Sequence, residues 1–121
     1  MIRALFNPTL LRWAAIGWTI TISIGCFWPS SGLPDLSSNR DKYLHLLIFL
    51  LFAFLWRTVG WSVGRVLAAG VIYAGLIELV QAVIPAINRS GDWLDFAADA
   101  AGVLIGLLLA QAVLRLLGPQ H

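Results

Sequence analysis

The chain has 121 residues, 60% of them hydrophobic and only 12% charged, with a net charge of +2 and a mean hydropathy of +0.85. A domain this small is mostly surface, and it has too few polar residues to cover a water-facing one, so a soluble helical bundle is the poorer reading. The basic residues are scattered, which leaves no nucleic-acid footprint, and the single cysteine, Cys26, excludes an internal disulfide and a cysteine-based zinc site.

The first apolar run covers about 10–28. Arg3 and Arg12 resemble the basic start of a signal peptide, but no A-x-A-like site follows the run, and "SIGC" (23–26) has Ser where a lipoprotein box favours Leu. A retained helix is the expectation. The link "PSSGLPDLSSNRD" (29–41) is rich in turn formers. A second run covers about 43–56 and is short for a membrane span unless it takes in its polar start. After "RTVGWSVGR" (57–65) comes a third run, about 66–84; after "PAINRSGD" (85–92) comes a fourth, about 93–117. No internal repeat or linker marks a second domain. The expected fold is all-α, one domain over 1–121, a bundle of four transmembrane helices.

An even number of spans puts both termini on the side of the 57–65 loop. That side carries Arg3, Arg12, Arg57, Arg65 and Arg115; the other carries Arg40, Lys42 and Arg89. The basic excess assigns the first side to the cytoplasm. The acids, Asp35, Asp41, Glu78, Asp92, Asp95 and Asp99, all lie on or near the opposite end.

Projected at 100° per residue, Asp92, Asp95, Asp99, Gly102 and Gly106 of the fourth run share an arc of about 80°. Gly70, Ala74, Glu78, Gln81 and Pro85 of the third run do the same, and Asp41, His45, Phe52 and Trp56 share a face of the second. Two stripes that go from small residues at depth to polar residues near the exit predict that the third and fourth helices touch through their small residues. The first run, with Thr19, Thr21 and Ser23 but no ionisable group beyond Arg12, reads as scaffold.

A carboxylate at the bilayer centre costs roughly 2.5–3.5 kcal/mol, so Glu78 and Asp99 need a protein environment, and such groups are functional candidates. Asp92 reads as a helix cap. Asp95 and Asp99, one turn apart, can hold a divalent cation or share a proton. His45 can act as a ligand or proton shuttle, or simply as a bonded helix residue. Arg89 can grip an anion or only shape its loop. The six tryptophans read as an interfacial belt with no chemistry. No H-E-x-x-H, G-x-S-x-G or P-loop is present. One histidine with several acids can hold a hard cation or, less typically, zinc, but the spacing is not diagnostic, and neither a metal nor a cofactor is assigned.

"DKYLH" (41–45), "IELVQAVIP" (77–85) and "NRSGDWLDFAADAAG" (88–102), taken in this order and spacing, resemble the VanZ-like family over about 41–106. The matching positions are Asp41, Lys42, His45, Glu78, Gln81, Arg89, Asp95, Asp99 and Gly102; Asp99 stands where many relatives carry Asn. The resemblance implies a bacterial inner-membrane protein concerned with the cell envelope or antibiotic sensitivity, and it supplies no reaction.

Three functional readings follow. The first is an outward-facing polar pocket for an envelope-related, lipid-linked or amphiphilic ligand, such as an envelope precursor or a lipoglycopeptide, lined by Asp41, Lys42, His45, Glu78, Gln81, Arg89, Asp95 and Asp99. The second is a membrane-embedded acid–base or metal-assisted enzyme acting on a lipid or cell-wall precursor. The third is a structural helper in a membrane complex. Membrane lipids are the expected surroundings, with no nucleic acid.

Overall fold

In the computed structural model, the described residues are 7–27, 38–83 and 93–117. They form four helices: α1 Pro8–Phe27, α2 Ser38–Val59, α3 Val63–Val83 and α4 Trp93–Leu117.

The helix ends follow local chemistry. Asn7 caps α1, its side-chain oxygen accepting from the backbone N–H of Thr9 at 2.9 Å and of Leu10 at 3.2 Å, while Pro8 takes the first helical position, where a missing N–H costs nothing. α2 starts at Ser38 rather than near Tyr43, so the second helix does take in its polar start. α2 stops at Gly60, whose φ of 126° is open to glycine and strained for other residues. There the Gly60 N–H bonds the Arg57 carbonyl at 3.1 Å and the Trp61 N–H bonds the Trp56 carbonyl at 3.2 Å, the double bond pattern of a Schellman stop. Ser62 then caps α3, its hydroxyl accepting from the Arg65 N–H at 3.1 Å. The expected 57–65 loop thus shrinks to residues 60–62, because the glycine stop and the serine start lie two residues apart.

Three of the helices contain stretches long and apolar enough to cross a membrane: Lys42–Val59, Val63–Val80 and Phe96–Leu117. α1 is not among them. It has 20 residues, about 30 Å at 1.5 Å per residue, with Arg12 near its start.

The outward faces are oily. Trp13, Ile72, Leu79, Leu108 and Leu116 are all more than half exposed, a surface suited to lipid and costly in water. Inside, Phe49, Phe52 and Ala53 of α2 meet Ile22 of α1, Val66, Ala74 and Ile77 of α3, and Val103 and Leu107 of α4. Phe49, Phe52 and Tyr73 form a ring cluster with centroids 5.8–5.9 Å apart, within the favourable range for tilted aromatic pairs.

The glycine pair of α4 packs against α2, which corrects the expected contact with α3. A Cβ on Gly102 would run into the Leu46 carbonyl oxygen, and one on Gly106 into that of Leu50. α3 meets α4 differently: Gly70 accepts the Val103 side chain, and a Cβ there would come within 2.7 Å of it. Small residues therefore do bring helices together, but backbone-to-backbone approach occurs between α2 and α4. The wheel identified the small face and not the neighbour standing opposite it.

α1 is tied to this core by polar side chains. The Trp18 indole N–H donates to the Ile48 carbonyl at 3.0 Å, and the Trp56 indole N–H donates to the Thr19 hydroxyl at 3.0 Å. The Tyr73 hydroxyl donates to the Thr19 carbonyl at 3.3 Å and shares a hydrogen bond with Ser23. Trp18 and Trp56 thus act as interhelical bolts rather than as members of an interfacial belt alone. Hydroxyls four residues apart on one helix, Thr19 and Ser23, were the available sequence signal.

A three-helix polar site

The site is built by α2, α3 and α4, each contributing one ionisable side chain. His45 lies about two turns into α2, Asp99 less than two turns into α4, and Glu78 more than a turn before the end of α3. These offsets correspond to roughly 8–10 Å below the helix ends at 1.5 Å per residue.

The glycine contact sets the register. Gly102 seats on the Leu46 backbone, one residue from His45, and Asp99 lies three residues before Gly102 on the same face of α4. Close approach at the glycine therefore delivers the Asp99 carboxylate to the imidazole. The His45 Nδ1 and Asp99 Oδ1 atoms are 2.7 Å apart, the length of a charge-assisted hydrogen bond. Asp99 is 0% exposed and His45 7%.

Glu78 reaches the same point from α3. It follows Ala74 by one turn and Ile77 by one residue, both wholly buried, so the packed face of α3 carries the carboxylate inward. The residue is partly buried as a whole, while its Oε1, like Oδ2 of Asp99, is shielded from solvent. One donor atom from each of His45, Glu78 and Asp99 lies within 4.8 Å of the others. Lys42, a turn before His45 and partly buried, is itself engaged in an interaction.

Of the other residues expected here, Asp41, Gln81 and Asp95 belong to helices α2, α3 and α4, but their side chains lie outside the described residues, and Arg89 lies outside them altogether. Asp92, the expected cap of α4, and Pro85 of the α3 stripe lie outside them as well.

Chemically, the carboxylate of Asp99 orients the imidazole and selects which ring nitrogen carries the proton. Glu78 adds a second carboxylate within reach. Such a cluster can hold a proton or a cation, or present hydrogen-bonding groups to a polar headgroup at a depth where water competes poorly.

The opposite end of the bundle is basic. Arg12, Arg65 and Arg115 are exposed there. Arg57 donates to the Trp61 carbonyl at 3.1 Å. The Trp61 ring lies 4.5 Å from that of Trp56 and 4.7 Å beneath the Arg65 guanidinium, a cation–π arrangement.

The family model described as VanZ/LLP1 matches residues 7–115. No curated protein and no solved structure matches the chain.

Proposed function

This chain belongs to the VanZ-like family, and on that premise we propose that it is a single-domain, multi-pass protein of the bacterial inner membrane that binds a lipid-linked or amphiphilic ligand of the cell envelope. α1 crosses the membrane with the other three helices, held along its length by the Trp18, Thr19 and Ser23 bonds. The basic end faces the cytoplasm, in keeping with the bias of Arg and Lys in membrane proteins, and the polar site opens outward. Lys42 and Arg89 take the anionic part of the ligand, while Asp41, His45, Glu78, Gln81, Asp95 and Asp99 supply the polar wall.

The observation that carries this reading is the convergence of His45, Glu78 and Asp99 from three different helices. Ionisable groups at such depth are costly, and a protein that only needed an oily bundle has cheaper side chains for the purpose. The test uses the full chain in lipid nanodiscs and a long-chain polyprenyl phosphate as probe, with a zwitterionic phospholipid for comparison. The phosphate lipid is expected to bind saturably and at least tenfold more tightly, and K42Q with R89Q to remove that preference. Equal affinity for the two lipids overturns the reading.

A second reading, acid–base catalysis on a lipid or cell-wall precursor, is favoured by the 2.7 Å His45–Asp99 contact, since an imidazole oriented by a carboxylate is a common general base. It separates from simple binding through E78Q and H45Q: an enzyme loses turnover of the probe while keeping its affinity, whereas a binding protein shows no turnover to lose.

A further inference from the structure

We infer that His45, Glu78 and Asp99 form a binding site for one divalent transition-metal cation, of which zinc is the best-fitting probe. The inference deepens the proposed site; it rests on the three-helix cluster and requires no lipid ligand.

The donor set is the first argument. One imidazole nitrogen and two carboxylate oxygens form a mixed N/O group of the kind zinc and manganese accept, whereas magnesium and calcium favour oxygen alone. With a neutral imidazole and both carboxylates ionised, the set carries two negative charges, which a divalent ion balances.

Distance is the second argument. Ligand atoms about 2.0–2.2 Å from a tetrahedral zinc lie roughly 3.3–3.6 Å from each other. The three donor atoms already lie within 4.8 Å of one another, only a little wider than that set. The 2.7 Å His45–Asp99 contact opens slightly as the cation takes the place of the proton shared by the pair. The neutral ring keeps its one proton, which passes from Nδ1 to Nε2 as Nδ1 becomes the ligand.

The donors stand on three helices, and the two that carry His45 and Asp99 are in backbone contact at Gly102 and Gly106. A site assembled on packed helices keeps its geometry better than one on loops. Three protein ligands leave a fourth position on the ion, as in catalytic rather than structural zinc sites. That position is available to water or to an anionic group of the ligand.

The experiment measures the metal directly. The full chain is purified in detergent without a histidine tag and with H121A, which removes the terminal histidine as a competing ligand. After chelator treatment it is titrated with zinc against a chromogenic chelator, and bound metal is counted by mass spectrometry. About one equivalent is expected. H45Q, E78Q and D99N, each checked for helical content and monodispersity, are expected to weaken binding at least tenfold. Stoichiometry far below one in the parent chain overturns the inference, as does equal affinity in parent and all three variants. Should one variant fail to fold, the other two and the parent titration still decide. Zinc is titrated without polyprenyl phosphate, so a chain that binds zinc but shows no lipid preference ends the ligand reading alone. Lipid preference without zinc ends only the metal inference.

Discussion

At the scale of single residues, the organising contact is Asp99 against His45. A buried carboxylate bonded to an imidazole is stabilising only while both partners remain, because removing one leaves the other without the bond that offset its desolvation. H45A is therefore expected to cost about 2–3 kcal/mol. D99N keeps an oxygen that can accept from the imidazole N–H and is expected to cost about 1 kcal/mol. Unfolding of the two variants in mixed detergent micelles measures the difference, and an H45A chain as stable as the parent would mean that the contact contributes little to stability. The residue types announced this site: an ionisable side chain inside an apolar run calls for a protein neighbour, which singles out Glu78 and Asp99, with His45 beside them as a candidate ligand or proton shuttle. Which of them bonds which was not readable. Asp99 bonds His45 because α4 sits against α2, a relation between segments more than fifty residues apart.

At the scale of elements, the fold depends on how closely α2 and α4 approach. Gly102 and Gly106 face backbone carbonyls, which cannot rotate away as a flexible side chain can. G102V and G106V are each expected to destabilise by about 3 kcal/mol, near the upper end of the usual cost of overpacking. They should also disturb the His45–Asp99 contact that the register sets. Gly17 of α1 has nothing within 4 Å of where a Cβ would stand, so G17A is expected to be neutral or to gain about 0.5–1 kcal/mol from lower backbone entropy. The same detergent titration ranks the three, and a G102V chain as stable as G17A would remove α2–α4 packing from the account. Helix limits were largely legible. α4 runs from Trp93 to Leu117 as its apolar pattern indicates, whereas α2 begins at Ser38, ahead of its apolar run.

At the scale of the whole molecule, the chain is polarised. Its deep ionisable cluster lies near one end, and Arg57, Trp61 and Arg65 form a basic, aromatic rim at the other. The proposed orientation makes that rim cytoplasmic, so Ser62, exposed in the α2–α3 turn, should be shielded in intact cells. S62C in a C26A background is expected to react with a membrane-impermeant maleimide only after the cells are opened. Prompt labelling of intact cells would invert the orientation and put the polar site inside.

The sequence by itself determined what kind of object this is. Its apolar runs dictated helices too oily for water, its small and polar stripes marked the buried faces, and its acids clustered at one end. These are properties of single segments, set by side-chain hydropathy and a 3.6-residue repeat. The tertiary structure decided which face meets which. It seated Gly102 and Gly106 on α2, brought Asp99 to His45, and bolted α1 to its neighbours through Trp18, Trp56 and Tyr73. A helical wheel gives a direction from one axis; only the packed shapes of all four helices determine what stands in that direction.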